Sequence, residues 1–335
     1  MGEVQWSEFD IIDRFFRGIG NPSAGDVITG IGDDAAVLPG PAGRSLLVTH
    51  DMMVEDVHYE ARWMSPFQLA RKLVKVNVSD IAAMGGNPTH ALLSLALPDP
   101  LKKGWLEDFS RGLKETLEAF RVTLVGGDTS RSPGPVMAAL TLLGTCPAGQ
   151  PVPRHHPDPG DTLYVSGTLG DAAAGLLLLK NRGTSASETE DEAFLAARHL
   201  DPPPRPALGE FIASRGLATA MIDISDGLLA DLEHLLEGTS LGAEIQVEAL
   251  PLSDPLQRIA PRLRQEPEVL ALTGGEDYEL LFASPVPPGA FPASPPAPLT
   301  PIGRVVASPG IRVLKDGTPL PLDTRGFRHL FHEKG

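Results

Sequence analysis

Cysteine is almost missing from this sequence: Cys146 is the single example in 335 residues. No intrachain disulfide, cysteine-type zinc site or iron–sulfur cluster can therefore form. Basic residues are scarce as well, 28 Lys plus Arg against 43 Asp plus Glu, for a net charge of −15. That sign argues against a nucleic-acid partner and against an anionic membrane surface. No apolar run is long and uninterrupted enough to span a bilayer. The acidic start MGEVQWSEFDII lacks a basic region followed by an apolar stretch, so no signal peptide is visible. A cytoplasmic protein is the expectation. Several catalytic motifs are missing too. Without G-x-x-x-x-G-K-[ST] the chain is not a P-loop enzyme, and without H-R-D and D-F-G it is not a protein-kinase fold. Neither G-x-S-x-G nor H-E-x-x-H occurs. Any nucleotide must be held by another architecture.

What is present begins with bulk. Apolar residues make up 42% of the chain, and its length exceeds one ordinary core, which predicts two domains. The segment PAGQPVPRHHPDPGD (147–161) reads as the linker between them. The expected division is an N-terminal domain at 1–148 and a C-terminal domain at 149–335. A second break, DPPPRP at 201–206, should separate two helices, and the proline-rich 284–301 reads as an extended surface loop. Strands are expected at 45–51, 90–98, 122–128, 136–145 and 162–167, and over AMIDISDG, where a strand runs into a helix. A long helix starting at Ser65–Pro66 and others near 101–120, 171–182, 191–200, 205–215 and 227–238 alternate with them. This interleaving predicts α/β or α+β domains.

Aspartates recur at the ends of apolar strands and in glycine turns. GIGDDAAVL (30–38) places Asp33 and Asp34 after a glycine pair, with a solvated turn as the competing reading. Asp51 closes the strand SLLVTHD, where side chains project into a cleft, or it simply caps that strand. His58 follows in EDVHY and serves as readily as a structural hydrogen-bonder as a base or ligand. Asp80, in NVSDIAAMGG, lies among Val74, Val76, Val78 and Ile81 and shares a helix face with Asn77. A carboxylate there is costly unless it is paired or bound to metal, so function outweighs structure.

VGGDTS ends a strand at Asp128. In DISDG, Asp223 and Ser225 share a strand face, and Asp226 opens a helix as an N-cap that can also touch metal. GTLGD (167–171) offers backbone N–H groups to a phosphate, unless Asp171 is a plain cap. GGEDYELLF places Glu276 and Asp277 after a glycine turn, facing a cationic or hydroxylated ligand or forming a surface turn. If Asp34, Asp51, Asp80, Asp128, Asp223 and Asp226 converge, each pair about 4 Å apart repels by about 1 kcal/mol in water and about 4 kcal/mol at an intermediate dielectric. Cations must then occupy the site. An all-oxygen ligand set favours Mg²⁺, the usual partner of phosphoryl transfer.

Taken in order, GIGDDAAV, HDMMVEDVHY, NVSDIAAMGGNP, VGGDTSRS, SGTLGDAAAG, RHLDPPPRP, DISDGL and GGEDYELLF resemble the thiamine-monophosphate kinase family. That family belongs to the aminoimidazole-ribonucleotide synthetase superfamily, and the likeness runs from about residue 8 to residue 330. The resemblance implies an N-terminal ferredoxin-like half-barrel domain that completes its barrel in a homodimer, followed by a C-terminal α/β domain. It implies transfer of the γ-phosphoryl group of ATP to thiamine monophosphate with several Mg²⁺ ions. By motif, Asp34, Thr49, Asp51, Asp80, Asp128, Asp223 and Asp226 would hold metal, with Asp34, Asp51, Asp80 and Asp128 the catalytic set. Gly127, Asp128, Arg154 and Ser225 would meet the nucleotide; His58, Glu276 and Phe327 would meet the substrate.

Three positions depart from the family pattern. His50 stands where a hydroxyl residue is usual, Asp56 where glycine is common, and Phe327 where tryptophan is frequent. Other ATP-using reactions of the superfamily are the alternative, such as selenophosphate synthesis or cyclo-ligation, as is a non-catalytic nucleotide sensor. The reactive N-terminal cysteine of the selenium enzyme and the C-terminal cysteine of the hydrogenase-maturation relative are both missing. The stretch from Glu55 to Tyr59 favours the kinase.

Overall fold

The computed structural model describes residues 4–16, 26–41, 43–182, 189–292, 294–320 and 330–333. In the first half, β1 (Val4–Ser7) and the short helix α1 (Glu8–Ile11) precede β2 (Ala36–Pro39) and β3 (Arg44–Val54). Then come α2 (Pro66–Ala83), β4 (Asn87–Leu97), α3 (Trp105–Ala119), β5 (Thr123–Arg131) and β6 (Met137–Pro147). The second half opens with β7 (Thr162–Ser166), α4 (Asp171–Arg182), α5 (Glu190–Leu200) and α6 (Pro206–Ser214). It continues through β8 (Ala220–Asp223), α7 (Leu228–Leu236), β9 (Gly242–Gln246), α8 (Asp254–Ile259) and α9 (Pro267–Thr273). Strands β10 (Leu280–Ser284), β11 (Leu299–Val306), β12 (Gly310–Lys315), β13 (Thr318–Pro319) and β14 (Leu330–Glu333) close it, the last pairing with β1.

Local chemistry explains the helix that matters most. Ser65 is the N-cap of α2: its hydroxyl accepts from the Gln68 N–H, and Gln68 Oε1 accepts from the Ser65 N–H. With Pro66 at the first position this is a complete capping box. Along α2, Leu69, Leu73, Val74 and Ile81 face the first core with Phe109 of α3 and Leu47, Leu140 and Leu142 of the sheet.

The first sheet has the order β2-β3-β6-β4-β5, with only β4 and β5 parallel. Strand β6 lies antiparallel between β3 and β4, the split βαβ arrangement of a ferredoxin-like layer. Helices cover one face only. On the other, Met52, Leu92, Leu124 and Val125 are exposed, and β5 is exposed along its whole length. The second sheet runs β13-β12-β9-β11-β7-β10-β8, mostly antiparallel, around Leu163, Val165, Ile222, Ile245 and Leu281.

The halves share a core. Ala82 and Ala83 of α2 pack with Val152, Leu208, Ile212, Met221 and Phe282. The 147–161 segment is built into this junction: Val152 N–H donates to the Met84 carbonyl, and Met221 N–H donates to the Pro153 carbonyl. These bonds, and those from Arg154 to Asp33 and Asp34, fix the position of Arg154. Among the described residues no helix is long and apolar enough to cross a membrane.

Candidate active site

A cleft of about 1180 Å³ opens where the halves meet. Its acidic end is assembled from four elements. The turn before β2 brings Asp33 and Asp34, β3 brings Thr49 and Asp51, α2 brings Asp80, and the end of β8 brings Asp223, Ser225 and Asp226. Of the six aspartates whose convergence the sequence raised, Asp34, Asp51, Asp80, Asp223 and Asp226 line this cleft and Asp128 does not.

Their electrostatics follow from burial. Asp34 is pushed up to about 6, by burial and then by the charge of Asp33, although Arg154 opposes both. Burial and the Asp34 charge push Asp223 up to about 8. Burial, then Asp51, Asp223 and Asp34, raise Asp80 well above the usual carboxylate range. Thr49 donates its hydroxyl hydrogen to Asp80 Oδ2 at 2.5 Å. Arg154 Nη2 donates to Asp34 Oδ1 at 2.5 Å, while its backbone N–H donates to the Asp33 carboxylate at 3.2 Å.

Several buried polar atoms here have no hydrogen-bond partner: Asp34 Oδ2, Asp223 Oδ2, Asn77 Oδ1 and Arg154 Nε. Oxygens left so, beside mutually repelling carboxylates, fit a hard divalent cation. Among the described residues no three His, Cys, Asp or Glu side chains form a ready-made metal cage.

Sequence reasoning missed the residues that shape the two loops behind this cluster. Helix α7 opens at Gly227 with no side-chain cap, so Asp226 is not its N-cap. The buried Asp231, one turn inside, accepts from the N–H groups of Ser225, Asp226 and Gly227 through Oδ2 at 3.0–3.1 Å. It does the capping and pins the loop. The GGED turn then packs on this loop: a Cβ on Gly275 would come within 2.4 Å of the Ser225 carbonyl oxygen.

The GTLGD turn is closed to phosphate. Its Gly170 and Ala172 N–H groups donate to the buried Asp277, and Asp171 accepts from Thr168 and Ser253 rather than capping α4. Asp277 is thus structural, not the surface or ligand residue its turn suggested. The RHLDPPPRP motif also works structurally, since Arg198 and Arg205 both bind the buried Glu279.

The remaining predicted residues divide. His58 and Glu276 line the cleft, and His58 Nδ1 accepts from the Val54 N–H at 3.0 Å. His50 points out to Thr141 across the sheet at 2.9 Å. Asp56 holds a left-handed turn, φ +64°, the conformation that glycine adopts most easily. Asp128 and Gly127 do not reach the cluster within one chain. In register, Asp51 faces Leu140, Leu140 faces Leu93, and Leu93 faces Gly127. Three strand spacings put β5 about 14 Å from Asp51. Gly127 has a steric reason of its own, as a Cβ there would lie 1.8 Å from the Leu93 carbonyl oxygen. Phe327 lies outside the described residues.

Comparison with known proteins places this geometry. Residues 32–146 match the family described as "AIR synthase related protein, N-terminal domain", and residues 158–316 match its C-terminal counterpart. Thiamine-monophosphate kinase of Escherichia coli (strain K12) is 41% identical over 330 residues, 96% of this chain and 98% of its own. The chain belongs to the thiamine-monophosphate kinase family. The Haemophilus influenzae member is 39% identical over 341 residues, covering 98% of this chain and 99% of that protein. Among solved structures, "AaThiL complexed with AMPPCP and TMP" superposes with a TM-score of 0.84 at 36% identity, over 96% of this chain and 97% of that one. Escherichia coli HypE, a hydrogenase maturation protein, reaches 0.67 at 20% identity over 84% of this chain and 87% of its own, and shares the fold alone.

Proposed function

We propose that this chain is an ATP-dependent thiamine-monophosphate kinase. An oxygen of the substrate's phosphate bonds to the γ-phosphorus of ATP, the bond from that phosphorus to the β–γ bridging oxygen breaks, and thiamine diphosphate and ADP result. The observation that carries this reading is the crowded carboxylate cluster of Asp34, Asp51, Asp80 and Asp223, in which Asp34 Oδ2 and Asp223 Oδ2 are buried without a partner, set beside Arg154 in a cleft wide enough for two substrates. Near full-length identity to curated thiamine-monophosphate kinases supports it.

Asp34, Thr49, Asp51, Asp80, Asp223 and Asp226 would hold Mg²⁺, which neutralises charge on the transferring phosphoryl group when bound. Arg154 is anchored to Asp34 through one nitrogen and keeps a buried, unpartnered Nε, which suits it to a phosphate oxygen of ATP. Ser225 and the loop pinned by Asp231 sit beside the nucleotide, while His58 and Glu276 face thiamine monophosphate. The working form is a homodimer in the cytoplasm: the open sheet face, with Leu92 38%, Leu124 44% and Val125 54% exposed, meets its copy. Assembly of the two sheets brings Gly127 and Asp128 to the site from the second copy.

The test is a coupled ADP assay on the purified protein with thiamine monophosphate or thiamine, with and without Mg²⁺. ADP release that requires both Mg²⁺ and thiamine monophosphate is expected. Absence of turnover under those conditions would falsify the assignment.

A further inference from the structure

Helix α2 carries a second charged group behind the cleft wall. Lys72, Val76 and Asp80 are spaced by four and so share one face. Eight residues of helix separate the cation from the acid, about 12 Å. The acid end is the phosphate end; the opposite end has its own polar construction.

Lys72 is completely buried, and its ammonium donates to Glu276 Oε2 at 2.8 Å. His199 of α5 brings Nδ1 to 2.9 Å from the same oxygen. The other ring nitrogen of this buried imidazole, Nε2, has no partner. Trp63 meets the ring edge-on, with centroids 5.5 Å apart at 62°, and both residues line the cleft.

Glu276 is held at the other end of its side chain as well. Its backbone takes a left-handed φ of +70°, and its N–H donates to the Ser225 carbonyl at 2.7 Å. A non-glycine residue in that region is retained only when its surroundings impose it. Burial opposes charge on Glu276, but Lys72 above all holds the carboxylate well below the usual range. Burial and the Lys72 charge keep His199 below its ordinary value, hence neutral, with one N–H donor and one lone pair.

Resting on the kinase reading, we propose that His199 is a substrate-contact residue that recognises the amine-bearing heteroaromatic ring of the substrate, with Lys72 as the residue that positions Glu276 beside it. A neutral imidazole that turns its Nδ1–H to the fixed Glu276 carboxylate keeps an unused lone pair on Nε2, which matches the N–H of an aminopyrimidine's amine. The Lys72–Glu276 pair is already balanced in charge. This end of the cleft therefore selects by hydrogen bonding rather than by attraction to any cation.

The experiment compares thiamine monophosphate with its analogue in which the pyrimidine amine is replaced by oxygen, in the ADP assay. The wild type should show a KM about tenfold or more higher for the oxo analogue, because a buried donor–acceptor pair would be left mismatched. His199→Phe should raise KM for thiamine monophosphate by about the same factor and erase the preference, while KM for ATP stays put. His199→Gln, with a donor and an acceptor, should restore part of it. Lys72→Met should raise KM for thiamine monophosphate with little change in KM for ATP, and Lys72→Arg should recover part of the loss. Equal KM for both substrates in the wild type overturns the proposal without any variant. A His199→Phe enzyme that keeps the preference overturns it too, as does one whose two KM values rise together. No ADP from thiamine monophosphate in the wild type would instead strike the kinase reading itself.

Discussion

Replacing Asp223 with Asn separates the two consequences of crowding carboxylates. In the metal-free protein Asp223 titrates near 8 instead of 3.8, first from burial and then from the charge of Asp34. At pH 7 the folded chain retains a proton that the unfolded chain has released, and the span from 3.8 to 7 opposes folding by about 4 kcal/mol. The sign is fixed by the direction of the shift. A carboxyl raised on folding leaves stability intact below about pH 4 and erodes it as pH climbs toward 8. Part of the Asp223 shift is repulsion shared with Asp34 and Asp51, so the observable gain is a fraction of the whole, about 2–3 kcal/mol.

The assay is thermal unfolding in EDTA across pH 5 to 8, paired with ADP release in Mg²⁺. Asp223→Asn should melt about 4–8 °C above wild type at pH 8 in EDTA, with a flatter pH dependence. Its turnover should fall at least about 10²-fold. A variant less stable than wild type in EDTA, or one that retains its rate, would refute the reasoning.

Three further outcomes are expected. Arg154→Lys cannot hold Asp34 and reach a phosphate with the same fork, so KM for ATP should rise about tenfold while KM for thiamine monophosphate is unchanged; steady-state kinetics in both substrates decides. Gly127→Ala forces a Cβ to 1.8 Å from the Leu93 carbonyl oxygen, so β5 must shift. Loss of about 2 kcal/mol or more and a dimer that dissociates on size-exclusion chromatography should follow. Asp231→Ala strands three backbone N–H groups of the Ser225–Gly227 loop, which should cost about 2–3 kcal/mol in denaturant unfolding and raise the Mg²⁺ needed for half-maximal rate. An unchanged Mg²⁺ dependence would show that the loop stands without it.

Much of this was legible in the sequence because the signals are local. Ser65 and Pro66 announce α2, and the apolar runs ending in Asp51 and Asp223 mark β3 and β8 with their acids at the cleft. Convergence could be argued from charge alone, since a carboxylate such as Asp80 among valines needs a cation. What escaped depends on partners distant in the chain. Lys72 reads as one more helix lysine until Glu276, 204 residues away, is placed against it. Asp226 and Asp171 resemble caps by position, but the backbone N–H groups go to Asp231, which no motif singles out, and to Asp277, which reads as a ligand or surface-turn residue. The Lys72–Val76–Asp80 spacing was the one available hint, a cation on the face otherwise reserved for the core. Asp128 was expected to end its strand, but β5 runs on to Arg131, and the sheet order, which no local motif encodes, leaves it three strands from Asp51.

The most direct measurement is crystallographic: the protein grown with Mn²⁺ and a non-hydrolysable ATP analogue, with ions located by anomalous scattering. Peaks bridging the carboxylates of Asp34, Asp51, Asp80 and Asp223 to the triphosphate are expected. A nucleotide bound elsewhere, or a cleft whose acids bind no ion, would contradict the account.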